Sequence, residues 1–190
     1  MPSVLESSVM AGTDKAQGGP AHFVGRREEL SKAKPFVRTL EGRDVLVIHH
    51  QGTFYAMDAH CYHAAGALKN GDIEELGGKL CLICPNHKYK ITLAEGEGIY
   101  KAMDKEKTPP GLRWFSKGPK QRVHRISEAD GGVYVTLSED STWLDSDFFQ
   151  GEKGKVNRDK IKAEEEAKAA IAAKAAKAAK AAKASQKESS

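Results

Sequence analysis

Between Ala21 and about Leu137 the apolar positions come in short runs broken by turn residues. Val45–His49 and Phe54–Asp58 flank His50-Gln51-Gly52 and predict a β-hairpin. Lys79–Ile83 is a short apolar run after Gly77-Gly78. From Lys88 to Leu93 the alternation is strict. Tyr89, Ile91 and Leu93 fall on one face of a strand, and the lysines and Thr92 on the other. Gln121–Ile126 and Val133–Leu137 flank Glu128-Ala129-Asp130-Gly131-Gly132, a second predicted hairpin. Residues 103–120 contain Pro109, Pro110, Gly111, Gly118 and Pro119 and read as a long loop. The pattern predicts an all-β, mainly antiparallel body over residues 21–150, built round one core.

The two ends have no such pattern. Residues 1–20 are rich in Gly, Ser and Ala and aperiodic, which predicts a flexible leader. Residues 151–190 form a Lys/Ala-rich tail, helical or disordered, since Ala, Lys and Glu dominate from Asp159 to Lys183. Lys174, Lys177, Lys180 and Lys183 recur every third residue. Each step then falls about 60° short of a full helical turn, so the lysines spiral round the axis. A helix without an apolar stripe is expected to stay solvated rather than dock on the body. Its plain reading is a solubilising extension. Its functional reading is weak attachment to acidic surfaces.

Charge sharpens this division. The chain carries 30 Lys and Arg against 26 Asp and Glu, a net +4. Within 151–190 eleven basic residues face six acidic ones, whereas 1–150 holds 19 basic and 20 acidic. The body gives no reason to expect nucleic acid as a partner. No stretch approaches the roughly 18 apolar residues of a membrane-spanning helix. The N-terminus has neither the basic start nor the apolar run of a secretory signal. Glu6, Asp14 and the lack of Arg before Arg26 argue against a transit peptide, so a cytoplasmic location is expected. Three cysteines, an odd count, do not suggest a disulfide scaffold.

The chemistry lies in two short segments. Cys61-Tyr62-His63 and, 21 residues after His63, Cys84-Pro85-Asn86-His87 each place an imidazole just after a thiol. With 3 Cys and 7 His in the chain, both spacings arise together by chance only about 0.01 times. Two thiolates and two neutral imidazoles could hold a [2Fe–2S] cluster, and neutral ligands raise its potential above that of an all-cysteine site. Spacing alone leaves tetrahedral zinc open, because two Cys and two His satisfy it equally. Cys81-Leu82-Ile83-Cys84 is formally Cys-x-x-Cys, but strand alternation puts its two thiols on opposite faces. Cys81 is therefore read as a buried small hydrophobe. His49, His50 and His124 lie in strand patterns and His60 in a loop, and none is assigned a role. Trp114, Phe115, Trp143, Phe148 and Phe149 are read as packing for the loop and the C-terminal wrap.

Cys-x-His followed by Cys-Pro-x-His resembles the Rieske [2Fe–2S] domain. The stretch CYHAAGALKNGDIEELGGKLCLICPNHKYKITLAEGEG is similar to small soluble eukaryotic Rieske ferredoxin-like proteins, and KGPKQRVHRISEADGGVYVTLSED to the end of that domain. The resemblance spans about residues 22–150. It implies three small antiparallel sheets with the cluster-binding loops at one tip. It also implies one [2Fe–2S] cluster per subunit, bound to iron by Cys61, His63, Cys84 and His87. Two departures bear on the loops. Ala65 stands where glycine is usual, which strains the turn if that residue takes a positive φ. Gly66 and Asn86 stand where respiratory-chain members carry a disulfide, and Tyr89 and Ile91 where those members carry hydroxyls that bond the cluster. Fewer such bonds imply a low potential for this class.

The expected function is a soluble one-electron carrier. Its partners would be a flavin-dependent reductase and a terminal oxygenase or hydroxylase. The alternative is a non-redox, zinc-stabilised or regulatory module on the same scaffold, although such modules often lack a ligand and this chain keeps all four. The chain shows no catalytic triad, mononuclear-iron facial triad or nucleotide fingerprint, so a component of a redox system is expected rather than a stand-alone enzyme. With a near-neutral body, transfer is expected to depend on local contact at the loops around 61–68 and 84–88.

Overall fold

The computed structural model describes residues 19–187, with side chains described to residue 178. Nearly all of the expected leader, 1–20, lies outside the described residues. In chain order the elements are β1 (Ala21–Arg26), α1 (Arg27–Leu30), β2 (Phe36–Leu40), β3 (Arg43–His50), β4 (Thr53–Asp58), β5 (Asp72–Leu76), β6 (Lys79–Ile83), β7 (Lys90–Thr92), β8 (Glu97–Asp104), β9 (Gly111–Pro119), β10 (Val123–Ala129), β11 (Gly132–Thr136) and α2 (Glu152–Lys187). Short 3-10 turns lie at Leu68–Asn70 and Asp145–Gln150.

All pairing is antiparallel. One sheet runs β1-β11-β10-β4-β3-β2 and the other β5-β6-β7-β8-β9. The larger one is two sheets fused through β10. Its first residues, Val123 and His124, pair with β4, and Arg125–Ala129 pair with β11. Three antiparallel units therefore stand in the fold, two of them continuous. Both predicted hairpins are present, as β3–β4 and β10–β11.

Residues 103–120 are not a loop. They hold most of the β8–β9 hairpin, whose turn takes up Pro109 and Pro110. Pro119 lies at the end of β9, the edge strand, where a missing N–H costs little ladder pairing.

β3 explains how the layers are joined. Val45, Leu46, Val47 and Ile48 are all buried, because both faces of this strand are covered. Val45 and Val47 pack with Val24, Phe54, Ala56, Val133 and Val135. Leu46 and Ile48 face the other way, against Met57, Leu68, Leu82, Ile91, Leu93 and the two cysteines 61 and 84. The two sheets thus share one apolar layer, and the thiols are part of it. Thr92, placed on the polar face by alternation, is also buried; its Oγ1 accepts the Glu97 N–H at 3.0 Å.

The tail departs from expectation in its first turns. Gly154, Arg158, Ile161 and Glu165, spaced by four, three and four, are the covered positions of an otherwise exposed helix, one stripe facing the body. Arg158 donates to the carbonyls of Phe149 and Gly151, and Asn70 Nδ2 donates to Glu165 at 2.9 Å. Only one of the four is strongly apolar, so no hydrophobic pattern announced the contact. From Glu166 to residue 178 every side chain is exposed, as the lysine spiral predicts. Among the described residues no helix is long and apolar enough to cross a membrane.

Candidate metal centre

The two motifs form matching turns at one end of the molecule, one following β4 and the other between β6 and β7. Cys61 N–H bonds the carbonyl of Gly66, five residues on, at 2.9 Å, and Cys84 N–H bonds that of Tyr89, also five on, at 2.8 Å. The N–H four residues on then returns to each cysteine's carbonyl, from Ala65 at 2.9 Å and Lys88 at 3.0 Å. Ala65 and Lys88 both take φ +57°, closing both turns in the left-handed region. One turn holds its imidazole at the second residue after Cys, His63, and the other at the third, His87.

Ala65 therefore carries the strain expected of it, with its methyl fully buried. Ala65→Gly should leave thermal stability within about 1 kcal/mol, since relief of strain and greater unfolded-state entropy oppose each other. Ala65→Val should cost more than about 2 kcal/mol, because a β-branched residue is poorly tolerated at positive φ. Thermal melts of both variants check this; a harmless valine would contradict the strained turn.

Cys61 and Cys84 are buried, whereas His63 and His87 are exposed at the tip. The thiols hydrogen-bond each other. The bond from Cys61 holds the Cys84 thiol below the usual range, helped by the N–H groups of Asn86 and His87. The same bond, with burial, pushes Cys61 up. His63 is held below the usual imidazole range, first by partial desolvation, then by His87 and Lys117, which favours the neutral form that metal binding needs. The imidazoles of His63 and His87 meet edge to face with centroids 5.0 Å apart. Among the described residues no three His, Cys, Asp or Glu side chains converge as a single ion requires. The donors form a thiol pair and an imidazole pair.

Glycine at position 66 lets the first turn lie directly against the second. A Cβ added at Gly66 would come within 2.8 Å of Cys84 Sγ and 3.5 Å of Asn86 Cβ. The two positions are thus adjacent, at the separation two disulfide-linked residues would have. All three cysteines are free. Cys81 packs elsewhere, with Ile83 and Ile99, and burial pushes its thiol up to about 11.

The residue that sequence reasoning missed is Gln121. It is fully buried, and its amide ties the first turn down: Nε2 donates to the carbonyls of Asp58 and His60, and Oε1 accepts the Tyr62 N–H, each at 2.9 Å. A lone Gln between Lys120 and Arg122 carries no sequence signal for this. His124, given no role, is structural: its Nδ1 accepts the Ser138 N–H, leaving Nε2–H to donate to Asp58 at 3.2 Å. His60 makes only long contacts, 3.4 Å to the Ala65 carbonyl and to Asp44. Of the aromatics, Phe149 is buried but Trp143 is 66% exposed.

Comparison with known proteins meets this geometry at the family level. The family model described as soluble Rieske-type ferredoxin matches residues 22–140. This chain belongs to that family. A human protein described as Rieske domain-containing is 43% identical over 126 residues, 66% of this chain and 80% of the relative. The ferredoxin component of an alkene monooxygenase system from Xanthobacter autotrophicus is 36% identical over 59 residues, 31% of this chain and 46% of that one. Among solved structures, the ferredoxin of carbazole 1,9a-dioxygenase from Nocardioides aromaticivorans is 16% identical. The match covers 63% of this chain and all of that one, with a TM-score of 0.48. The Rieske-type ferredoxin family is one of electron-transfer proteins, normally with a [2Fe–2S] cluster, and the expected fold is the observed one.

Proposed function

We propose that this chain is a one-electron carrier holding a [2Fe–2S] cluster through Cys61, Cys84, His63 and His87. The observation that carries this reading is the pair of matched turns, which brings two buried thiols together beneath two exposed imidazoles. When bound, such a cluster supplies reversible one-electron chemistry. Leu68, Leu82 and Ile91 pack the thiol side and keep water from it. The imidazoles occupy the outer side, where each has a second ring nitrogen open to solvent or a partner. Gln121 keeps the first turn in register with the second.

The partners proposed are a flavin-dependent reductase on one side and an oxygenase or hydroxylase on the other. Relatives named as ferredoxin components of a monooxygenase and a dioxygenase system support this.

Protein from iron-replete cells should be brown and should bleach with one electron per chain. Its potential should lie near the ~-150 mV end of the Rieske range, because Gly66 and Asn86 provide no loop disulfide and Ile91 no hydroxyl. Redox titration followed by visible absorption checks both. A colourless protein would contradict the carrier reading, and a value above about +100 mV the low-potential reading.

A further inference from the structure

The two ligand histidines do not have equivalent surroundings. Beside His87, α2 rises as the far wall of a groove of about 740 Å³, where Asn157, Lys160 and Glu164 face Pro85 and Asn86. A broad protein face approaching from that side meets the helix first.

Beside His63 the surface is open and chemically uniform. Tyr89 stacks on His63 with ring centroids 4.0 Å apart and planes 16° from parallel. Lys117 Nζ lies 5.6 Å from the Tyr89 ring and 5.5 Å from that of Tyr100. Tyr100 stacks on Phe115 at 5.7 Å, and Arg113 covers Phe115 at 5.9 Å. Register explains the ladder. Tyr100 pairs with Phe115 and Ala102 with Arg113, so Arg113, Phe115 and Lys117 share one face of β9 with Tyr100. Tyr100 and Arg113 are 42% and 59% exposed. Lys117 makes no ion pair among the described residues, Asp104 is buried against Arg113 at 3.3 Å, and Asp145 lies at the margin, paired with Lys120 at 3.2 Å and close enough to act on Tyr62.

We infer that this strip, from His63 through Lys117 to Arg113, is the docking face for an acidic redox protein, one whose own redox group is ringed by carboxylates. The inference rests on the electron-carrier reading and adds to it the side of approach and the charge of the partner. Exposed Tyr100 and half-buried Tyr89 and Phe115 beside Arg113 have the aromatic and arginine composition of a protein-binding core, with Lys117 at its rim. Unpaired Lys117 and the half-exposed guanidinium of Arg113 select a carboxylate-bearing surface. A partner seated there faces His63 rather than His87.

The probe is fully reduced flavodoxin, an acidic FMN protein, mixed with the oxidised full-length chain in a stopped-flow instrument. The second-order rate should fall at least about tenfold between 10 and 300 mM salt. Lys117→Glu and Arg113→Glu should each slow it about three- to tenfold at low salt and converge on the parent at high salt. Lys160→Glu and Lys168→Glu on α2 should leave it unchanged. Reduction by the methyl viologen radical, a small cation, should not slow in the hairpin variants, which shows their redox group intact. Equal slowing by hairpin and α2 variants, or a rate insensitive to Lys117→Glu and Arg113→Glu, overturns the docking face while leaving the carrier reading in place. Absence of any band bleached by dithionite overturns the carrier reading and the docking face with it.

Discussion

Cys61→Ser and Cys84→Ser should each lose the brown colour and most of the acid-labile sulfide, with far-UV circular dichroism little changed. Both thiols are buried in the layer between the sheets, at 0% and 1% exposure, so a lost ligand has no ready substitute. Cys81, the third cysteine, belongs to a separate apolar cluster on the other side of β6. Serine nearly matches cysteine in size, so the fold keeps its packing, but its oxygen is a much weaker ligand than a thiolate in an Fe–S site. Iron and sulfide assays on both variants check this. Full sulfide in either would remove that cysteine from the ligand set.

Asp147→Ala should lower stability by about 3–5 kcal/mol, the usual cost of removing one partner from a buried ion pair. Asp147 accepts from Arg122 Nε at 2.7 Å and Nη2 at 2.6 Å, from Leu144 N–H at 2.9 Å, and from Arg43. Arg43 also grips Asp58, itself wholly buried, at 2.6 and 2.7 Å. This network fastens the 145–150 turn to β3 and to Arg122 just before β10, next to Gln121, which anchors the turn after Cys61. At roughly 2–4 °C per kcal/mol for a chain of this size, the melting temperature should drop by about 6–20 °C.

The same network sets an acid limit. Burial works to raise the pKa of Asp58 and of Asp147. Hydrogen bonds outweigh it: from His124, Arg43 and Ser146 on Asp58, and from Arg122, Leu144 N–H and Arg43 on Asp147. Both carboxyls are thus held below the usual carboxylate range. Their stabilisation is present above the unfolded value of about 3.9 and is lost as pH falls below it. Melting temperature should decline steeply below about pH 4 in the parent and less steeply in Asp147→Ala. Parallel declines would show that other groups govern acid unfolding.

The sequence was most informative where pattern and chemistry coincide. Two Cys/His spacings and the β3–β4 and β10–β11 hairpins could be read directly, because thiol–imidazole spacing and period-two alternation are local signals. The β8–β9 hairpin was hidden because prolines at its turn and at the edge strand's end look, in one dimension, like a loop. Gln121, Asp58 and Asp147 were hidden for another reason. Apart from the Leu144 N–H, their partners lie between 15 and 104 residues away, and a buried polar network leaves no periodicity. The docked turns of α2 rely on Arg158 and Glu165, which look like any solvated charge.

His63 and His87 should both ligate one paramagnetic centre when the protein is reduced. Pulsed EPR on dithionite-reduced protein, made with natural-abundance or ¹⁵N-labelled histidine, tests it most directly. Strong hyperfine couplings from two histidine nitrogens are expected, both shifting with the label. A reduced signal with no histidine coupling, or with one coupled nitrogen, would contradict it.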